Sequence, residues 1–310
     1  MTLMYYIASP EEDRELAYLE ATIMLEEPVN SAFHFTEKSV DISQSAYVKL
    51  CGELKLKATV FQELLEKIKL SNFYFDQFRI EIHSSKRTRA DLESNVKGVI
   101  AVADALTNGN PNLNNPAIHL DILGNESGYY FLVRQSIANN SWQAHIKKPY
   151  SFSSSLGARH CRALVNIACH NAKTFLDPCC GFGSVVLEAA YLGLTTTGND
   201  LNHKQVWYAE ENLKHFGFAQ NILNQNALTL LPDSTVDAIV VDFPYGLNCP
   251  TPEDFYRDFI KYYFTRTKTL VTLTMIPFAE ELEKAGYQVQ AIAMTYKGFR
   301  FKRYITLAKT

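Results

Sequence analysis

The sequence predicts an α/β protein. Residues 149–310 read as a mostly parallel seven-stranded sheet with helices on both faces and an antiparallel C-terminal hairpin, preceded by an α+β region. Three observations carry this. From residue 173 onward, β-rich runs alternate with helical runs, the pattern of βαβ units. Lys173-Thr-Phe-Leu-Asp-Pro-Cys-Cys-Gly-Phe-Gly-Ser184 reads as a strand, a tight Gly loop and a helix N-terminus. The apolar run Val236 to Val241 ends in Asp242-Phe-Pro-Tyr-Gly246, a second loop at a strand's end.

Taken in order, Met4 to Ser9 predicts a strand, and Glu12 to Leu25 a helix with Leu16, Leu19 and Ile23 at helical spacing. A short element is expected around Val40 to Leu50. A helix follows over Ala58 to Ile68, with Val60, Phe61, Leu64, Leu65 and Ile68 on one face. Residues 1–70 thus read as a small α+β unit and 71–148 as a second. In the second, Phe78-Arg-Ile-Glu-Ile-His83 alternates as a half-buried strand does, Asp91 to Leu106 is helical, and Ile118 to Ile122 and Tyr129 to Gln135 are strands. The Ser-rich stretch 147–155 is a hinge, and the following helix, Leu156 to Ala168, is expected to take Ser153 or Ser155 as its N-cap. Its Arg159 and Arg162 read as a solvated face.

The third region holds strands at Thr195–Gly198, Asn221–Leu223, Val236–Val241 and Thr269–Met275. Helices are expected over Asn202–His215, Glu253–Thr265 and Phe278–Ala285, the last stopped by Gly286. A hairpin around Lys297-Gly298 joins the last two strands.

Composition excludes several classes. With 47% apolar residues the chain can bury a core and is not broadly disordered. Its longest apolar runs fall far short of the ~18 residues that span a bilayer. Met1 to Ile7 lacks the pattern of a signal peptide, and six cysteines show neither metal spacing nor disulfide density. A reducing cytoplasm, no metal and no membrane are therefore expected. Net charge is −3, with 30 Lys+Arg against 33 Asp+Glu, so any nucleic-acid contact must rest on local basic clusters. Lys86, Arg87 and Arg89 form one. Lys147 and Lys148 form another, and Lys297, Arg300, Lys302 and Arg303 a third.

Ligands of open α/β sheets sit at the carboxyl ends of the strands, and each candidate acid here lies at such an end. Asp177 ends the first strand of the third region. Gly181 and Gly183 let a ligand approach the backbone, and the helix from Ser184 points free N–H groups at the same place. An acid above a small-residue floor suits a cationic, ribose-bearing ligand, and S-adenosylmethionine is the candidate. A nicotinamide dinucleotide fold needs Gly-x-Gly-x-x-Gly, but Val186 stands at the third position. Asp200, after the second strand, can accept both ribose hydroxyls; its alternative role is the N-cap of the next helix. Asn226-Ala227 follows the third strand, where an adenine amine would lie and where an Asn carbonyl can accept from it. Asp242-Phe243-Pro244-Tyr245 suits an exocyclic amine. The nitrogen's lone pair is delocalised into the ring, and Asp242 with a backbone carbonyl near Phe243 can take its hydrogens and localise that pair. Pro244 fixes the loop and Tyr245 can stack on the base.

Leu113-Asn-Asn-Pro116, Ile118-His-Leu-Asp-Ile122 and the strand Tyr130 to Val133 resemble a THUMP domain, an RNA-binding module of tRNA-modifying enzymes. With the two loops at the strand ends, the chain resembles the THUMP-containing class I tRNA (guanine-N2)-methyltransferases over nearly its whole length. The resemblance implies a ferredoxin-like unit over 1–70, a THUMP domain over 71–148 and a Rossmann-like class I methyltransferase domain over 149–310. It implies an enzyme that methylates a guanosine N2 amine at position ten of tRNA, or next at position six; the oligomeric state is left open, with a monomer favoured. It further implies cofactor contacts from Asp177, Pro178, Cys179, Gly181, Gly183, Asp200, Leu201, Asn226, Ala227 and Asp242. Catalytic roles fall to Asp242, Phe243, Pro244 and Tyr245. RNA contacts, including the acceptor-stem end gripped by the THUMP unit, come from Lys86, Arg87, Arg89, Lys147, Lys148 and Arg300. The family reads Asp-Pro-Pro-Tyr-Gly, and here Phe243 replaces the first Pro. The alternatives are an adenine-N6 methyltransferase acting on RNA or DNA, and a catalytically silent RNA-binding protein.

Overall fold

The structure, a computed structural model, describes residues 1–84, 95–152, 155–231, 234–244, 254–297 and 301–310. The chain forms two compact units, one of Met1–Tyr6, Ala32–Ile42 and Lys49–Ile137, the other of Ile7–Ser31, Ser43–Val48 and Ala138–Thr310.

The first unit is built on a seven-stranded mixed sheet. Its strands are β1 (Leu3–Ile7), β2 (Phe33–Thr36), β3 (Val48–Ala58), β4 (Tyr74–Ser84), β5 (Asn108–Pro111), β6 (Ile118–Asn125) and β7 (Gly128–Ile137), in the order β2-β1-β3-β7-β6-β4-β5. Strands from both the 1–70 and the 71–148 stretches therefore share one sheet. Helices α2 (Phe61–Leu70) and α3 (Asn95–Ala105) contribute Leu64, Ile68 and Val102 to a core with Phe78, Leu120, Ile122 and Phe131. The edge strand β5 is Asn-Gly-Asn-Pro, which no strand propensity announces. It pairs in parallel with β4 because Gly109, at φ +134°, comes so close to the Phe75 carbonyl that a Cβ would collide with it.

Alternation along β6 sends Leu120 and Ile122 to that core and Asp121 to the other face. There the fully buried Asp121 carboxylate accepts from Arg134 Nε at 2.8 Å and meets His83 Nε2 at 2.8 Å, while Arg134 also reaches Glu81 at 2.7 Å. Burial pushes both carboxyls up, but Arg134, helped at Asp121 by His83, outweighs it and holds each below its ordinary value.

The second unit follows the predicted alternation. After helix α4 (Ala158–Ala168) come β8 (Thr174–Asp177), α5 (Ser184–Tyr191), β9 (Thr195–Asn199), α6 (His203–His215), β10 (Ile222–Leu223) and β11 (Val236–Asp242). Then follow α7 (Phe255–Tyr263), β12 (Thr267–Thr274), α8 (Ala279–Lys284), β13 (Gln288–Lys297) and β14 (Phe301–Lys309). The sheet order is β10-β9-β8-β11-β12-β14-β13. The five strands from β10 to β12 run parallel, and β14 and β13 close the edge antiparallel. Gly286, at φ +101°, follows α8 as expected.

An N-terminal helix completes this unit: α1 (Arg14–Leu25) packs on α4 and β13. Its buried Glu20 accepts from the backbone N–H groups of Ala46 and Tyr47, each at 2.8 Å, and from Asn166 of α4 at 2.6 Å. Asp13, just before α1, meets His160 Nε2 at 2.8 Å and accepts from Thr295 Oγ1 at 2.7 Å.

Helix α4 departs from expectation twice. Gly157 occupies its N-cap position and Ser155 does not; Ser153 lies outside the described residues. Arg159 and Arg162 are not a solvated face. The Arg159 guanidinium donates to the carbonyls of Ala8 at 2.6 Å and Ala46 at 3.2 Å. Arg162 is fully buried, paired with the buried Glu188 at 2.8 Å, and Glu188 also meets His145 at 2.8 Å. Spacing on one helix face cannot show that another segment covers it. Among the described residues no helix is long and apolar enough to cross a membrane.

Glu188→Ala would leave the Arg162 cation buried without its partner, and a loss of ~3–5 kcal/mol in urea unfolding is expected. The depressed Asp121 and Glu81 carboxyls stabilise the first unit above their unfolded-state pKa, and that stability is lost as pH falls through their folded values. Hydrogen-exchange protection factors of β6 and β7 amides, corrected for the intrinsic rate, should fall below about pH 4, and Asp121→Asn should flatten that limb.

Candidate active site

Strand order reverses between β8 and β11, opening a crevice at their carboxyl ends. The loop leaving β8 is shaped by Gly181 at φ +53° and Gly183 at φ +72°. A Cβ on Gly183 would stand 3.0 Å from that of Ala209, so the loop lies close against α6. Three bonds tie this loop to the end of β9: Cys180 N–H donates to the Asn199 carbonyl at 2.7 Å, Gly181 N–H to Asp200 at 2.9 Å, and Asn199 Nδ2 to the Pro178 carbonyl at 3.0 Å. The other Asp200 oxygen accepts from Asn202 N–H at 2.9 Å. Asn202, not Asp200, caps α6, accepting from Lys204 N–H at 3.0 Å.

Pro178, Cys179, Asp200, Leu201, Asn226, Ala227, Asp242 and Pro244 line one cavity of about 400 Å³. Asn226 accepts from Leu228 N–H at 3.0 Å, which leaves its carbonyl a second lone pair. Ala227 is held from behind by the buried Tyr263 hydroxyl, which donates to its carbonyl at 2.6 Å. Asp177, Gly181 and Gly183 do not line the cavity. Asp177 lies buried next to the lining residue Pro178 and accepts from Cys179 N–H at 3.2 Å. Burial pushes the Asp177 carboxyl well above the carboxylate range, and the nearby Asp242 and Asp200 push it further. Burial also raises Asp200, against the pull of its two backbone donors.

Phe243 does not face the cavity. Its ring, 1% exposed, meets Tyr256 at 4.8 Å, Phe259 at 4.9 Å and Phe278 at 5.7 Å, all edge-to-face. Where the resembling family has Pro, this chain has an aromatic plug that seats the end of β11 in the core. The next residue is fixed by Tyr256, whose hydroxyl donates to the Pro244 carbonyl at 2.6 Å. Tyr245, Lys86, Arg87, Arg89 and Arg300 lie outside the described residues. Lys147 is exposed, Lys148 half-buried, and Lys302 sits 4.6 Å over the Tyr304 ring.

Residues that the sequence reading left out complete the site. Asn199, Leu228, Asp254, Phe255 and Asp258 also line the cavity. Asp254 and Asp258 are spaced as acids commonly are at a helix start, so spacing alone gave no reason to single them out. The buried Arg303 of β14 approaches Asp242 at 3.9 Å, so one member of the expected basic cluster serves the site from inside.

Residues 146–296 match the family described as UPF0020: RMKL-like, methyltransferase domain. Over this stretch, just under half of the chain, it is similar to a methyltransferase domain. Over 120 residues, 37% of the chain, it is 34% identical to a tRNA (guanine(10)-N2)-dimethyltransferase of Methanothermobacter thermautotrophicus, covering 36% of that relative. Over 90 residues, 27% of the chain, it is 36% identical to the U6 snRNA (guanine-N(2))-methyltransferase THUMPD2 of Homo sapiens, covering 18% of it. The chain thus spans only about a third or less of the length of these relatives. In fold, the methyltransferase domain and the unit before it are similar to the crystal structure of TrmN from Thermus thermophilus. The TM-score is 0.53 at 17% identity, covering all of both chains.

A buried carboxyl whose folded pKa is raised costs stability once pH exceeds its unfolded value, increasingly up to the folded one. Asp177→Asn keeps an acceptor for Cys179 N–H and removes the charge. Its urea midpoint at pH 7 should lie above that of the parent, with the gap closing below about pH 4.

Proposed function

We propose that the chain is an S-adenosylmethionine-dependent methyltransferase acting on the N2 amine of a guanosine in tRNA, position ten first and position six next. One observation supports this above the others: Asp200 and Asp242, from the ends of β9 and β11, face the same acid-lined cavity. The relatives named for guanine-N2 methylation of RNA point the same way.

The donor set suits this cofactor. Asp200 has lone pairs left for a ribose after its two backbone bonds, and Asn226 has one for an adenine edge. Leu201 and Ala227 supply apolar wall. Gln205 Oε1, near Gly181, is buried with no hydrogen-bond partner among the described residues, an acceptor waiting for an ammonium. The acids around the cavity favour a cation, and Asp177 is buried next to the lining residue Pro178; Pro178 and Cys179 line the cavity, while Gly181 and Gly183 turn the loop beside it. S-adenosylmethionine, when bound, supplies an electrophilic methyl on a sulfonium.

The chain's own groups then do three things. Asp242, with the backbone carbonyl at Phe243, accepts the amine hydrogens and returns the lone pair to nitrogen. Asp242 takes up the proton that the amine sheds. Pro244 holds the loop, and Tyr245 is assigned to stack on the base. The buried Arg303 guanidinium stands 3.9 Å from Asp242. Lys86, Arg87, Arg89, Lys147, Lys148 and Arg300 are assigned to phosphates, with residues 71–148 as the THUMP-like module at the acceptor-stem end. We assign the enzyme to the cytoplasm, as a monomer.

Incubation with unmodified tRNA and S-adenosylmethionine should yield N2-methylated guanosine on nucleoside analysis. Methyladenosine alone would replace this reading with the adenine-N6 one, and methylation of U6 snRNA but not tRNA would move the substrate. Asp242→Ala should lower turnover by ~10²–10⁴-fold with cofactor affinity kept.

A further inference from the structure

A ladder of aromatic rings flanks the glycine loop, outside the cavity. Phe152 and Phe182 are near parallel, 6.4 Å apart at 4°, and Phe182 and Tyr208 are 5.0 Å apart at 14°. Beyond Tyr208 the rings turn out of plane: Tyr150 lies 5.0 Å from Tyr208 at 39°, and Trp207 lies 5.1 Å from Tyr150 at 57° and 5.3 Å from Tyr208 at 62°. The middle rings are half-buried, but Phe152 at one end is 54% exposed and Trp207 at the other 48%. Core packing therefore explains the middle of the row and not its ends.

The row is rigidly mounted. The fully buried Asn212 amide accepts from Tyr150 N–H and donates to the carbonyls of Tyr150 and Phe182, each bond 2.9 Å. The segment carrying Tyr150 is thereby bound to the loop that carries Phe182. Cations accompany it. Exposed Lys204 stands one helical turn before Tyr208, on the same face of α6. Lys147 and Lys148 precede Tyr150 along the chain.

We infer that this row is a stacking shelf for unpaired RNA bases, with Phe152 and Trp207 as its open faces. Flat rings with free faces stack on any base, and adjacent cations follow the strand's phosphates. The cavity itself cannot hold the strand. Its lining is acidic, with Asp200, Asp242, Asp254 and Asp258, and the nearby Arg257 and Arg303 are each engaged with these acids, so it suits a base amine better than a phosphate and the backbone is gripped outside it. A chain of net charge −3 gains nothing from bulk attraction, which puts the burden on local features of this kind. An apolar protein partner would be served as well by aliphatic side chains and gives no reason for parallel planes beside cations.

The inference rests on the RNA reading of the proposed function, and binding tests it separately from turnover. The chain has two tryptophans, Trp142 and Trp207, so Trp142→Phe leaves Trp207 as sole reporter. Titrating that variant with a single-stranded oligonucleotide should quench its emission. Phe152→Ala and Phe152→Leu should each weaken binding of the same oligonucleotide by ~10-fold or more, Phe152→Tyr should restore it, and S-adenosylmethionine affinity should stay within ~2-fold of the parent. A Phe152→Leu variant that binds as the parent does, or Trp207 emission that RNA leaves unmoved, would sink the shelf and leave the methyltransferase reading standing. If the parent methylates no RNA and binds none, both readings fall together.

Discussion

Parallel strands end at one edge of their sheet, and here Asp177 and Asp242 end two of them while Asp200 directly follows a third. Water would keep such carboxylates apart or solvate them. The fold instead buries Asp177, half-buries Asp200 and sets Asp242 on the same crevice, so the buried Asp177 carboxyl feels the other two and both burial and their charge push it up. Everything near them answers that repulsion. Backbone N–H groups of Cys179, Gly181 and Asn202 turn toward the acids, and a buried guanidinium comes up behind Asp242. The left-handed turns at Gly181 and Gly183 are what let the loop fold back far enough for one of those donors to reach Asp200.

The scaffold around this edge is correspondingly stiff. Phe243 fills a pocket of aromatic rings from α7 and the segment before α8, which leaves Asp242 little freedom to swing. A Pro at that position would restrict the backbone; the Phe restricts it by burial, and the two devices reach a similar end. On the proposed reading, a rigid carboxylate matters because the amine must be held with its lone pair directed at the donor, and a displacement of one ångström is costly.

How much of this was legible in the sequence follows the range of each interaction. The strand-loop-helix at 173–184 and the strand ending at Asp242 are local, and they were readable from glycine placement and apolar runs. Asn202 as the cap of α6 was nearly readable, since the helix was expected to begin there. Features that need register were not. Arg303 meets Asp242 only because β14 lies beside β12 and antiparallel to it, and nothing in a row of basic residues tells which one turns inward. The attachment of α1 to the methyltransferase unit is another such case. Residues 1–70 read as one unit because nothing local announces that Glu20 bonds to Asn166, almost half the chain away. Strand β5 was missed because its glycine marks a close approach and not a propensity.

The acid-lined cavity also sets what the rest of the surface has to do. A polyanion is drawn to a protein by the sum of its charges at distance and by individual groups within a Debye length of about 10 Å. Here the distant sum is weakly repulsive and the cavity strongly so. On the proposed reading, that arrangement discriminates within a nucleotide, since an amine, a donor, suits the acidic lining better than a phosphate does. It also forces a division of labour. On the proposed reading the strand is held where rings and cations coincide, and only a base turned out of the stack enters among the carboxylates, at a cost in unstacking that the outer contacts have to offset. A more basic protein would bind RNA more tightly and choose less well, because a cationic cavity would draw in backbone as readily as base.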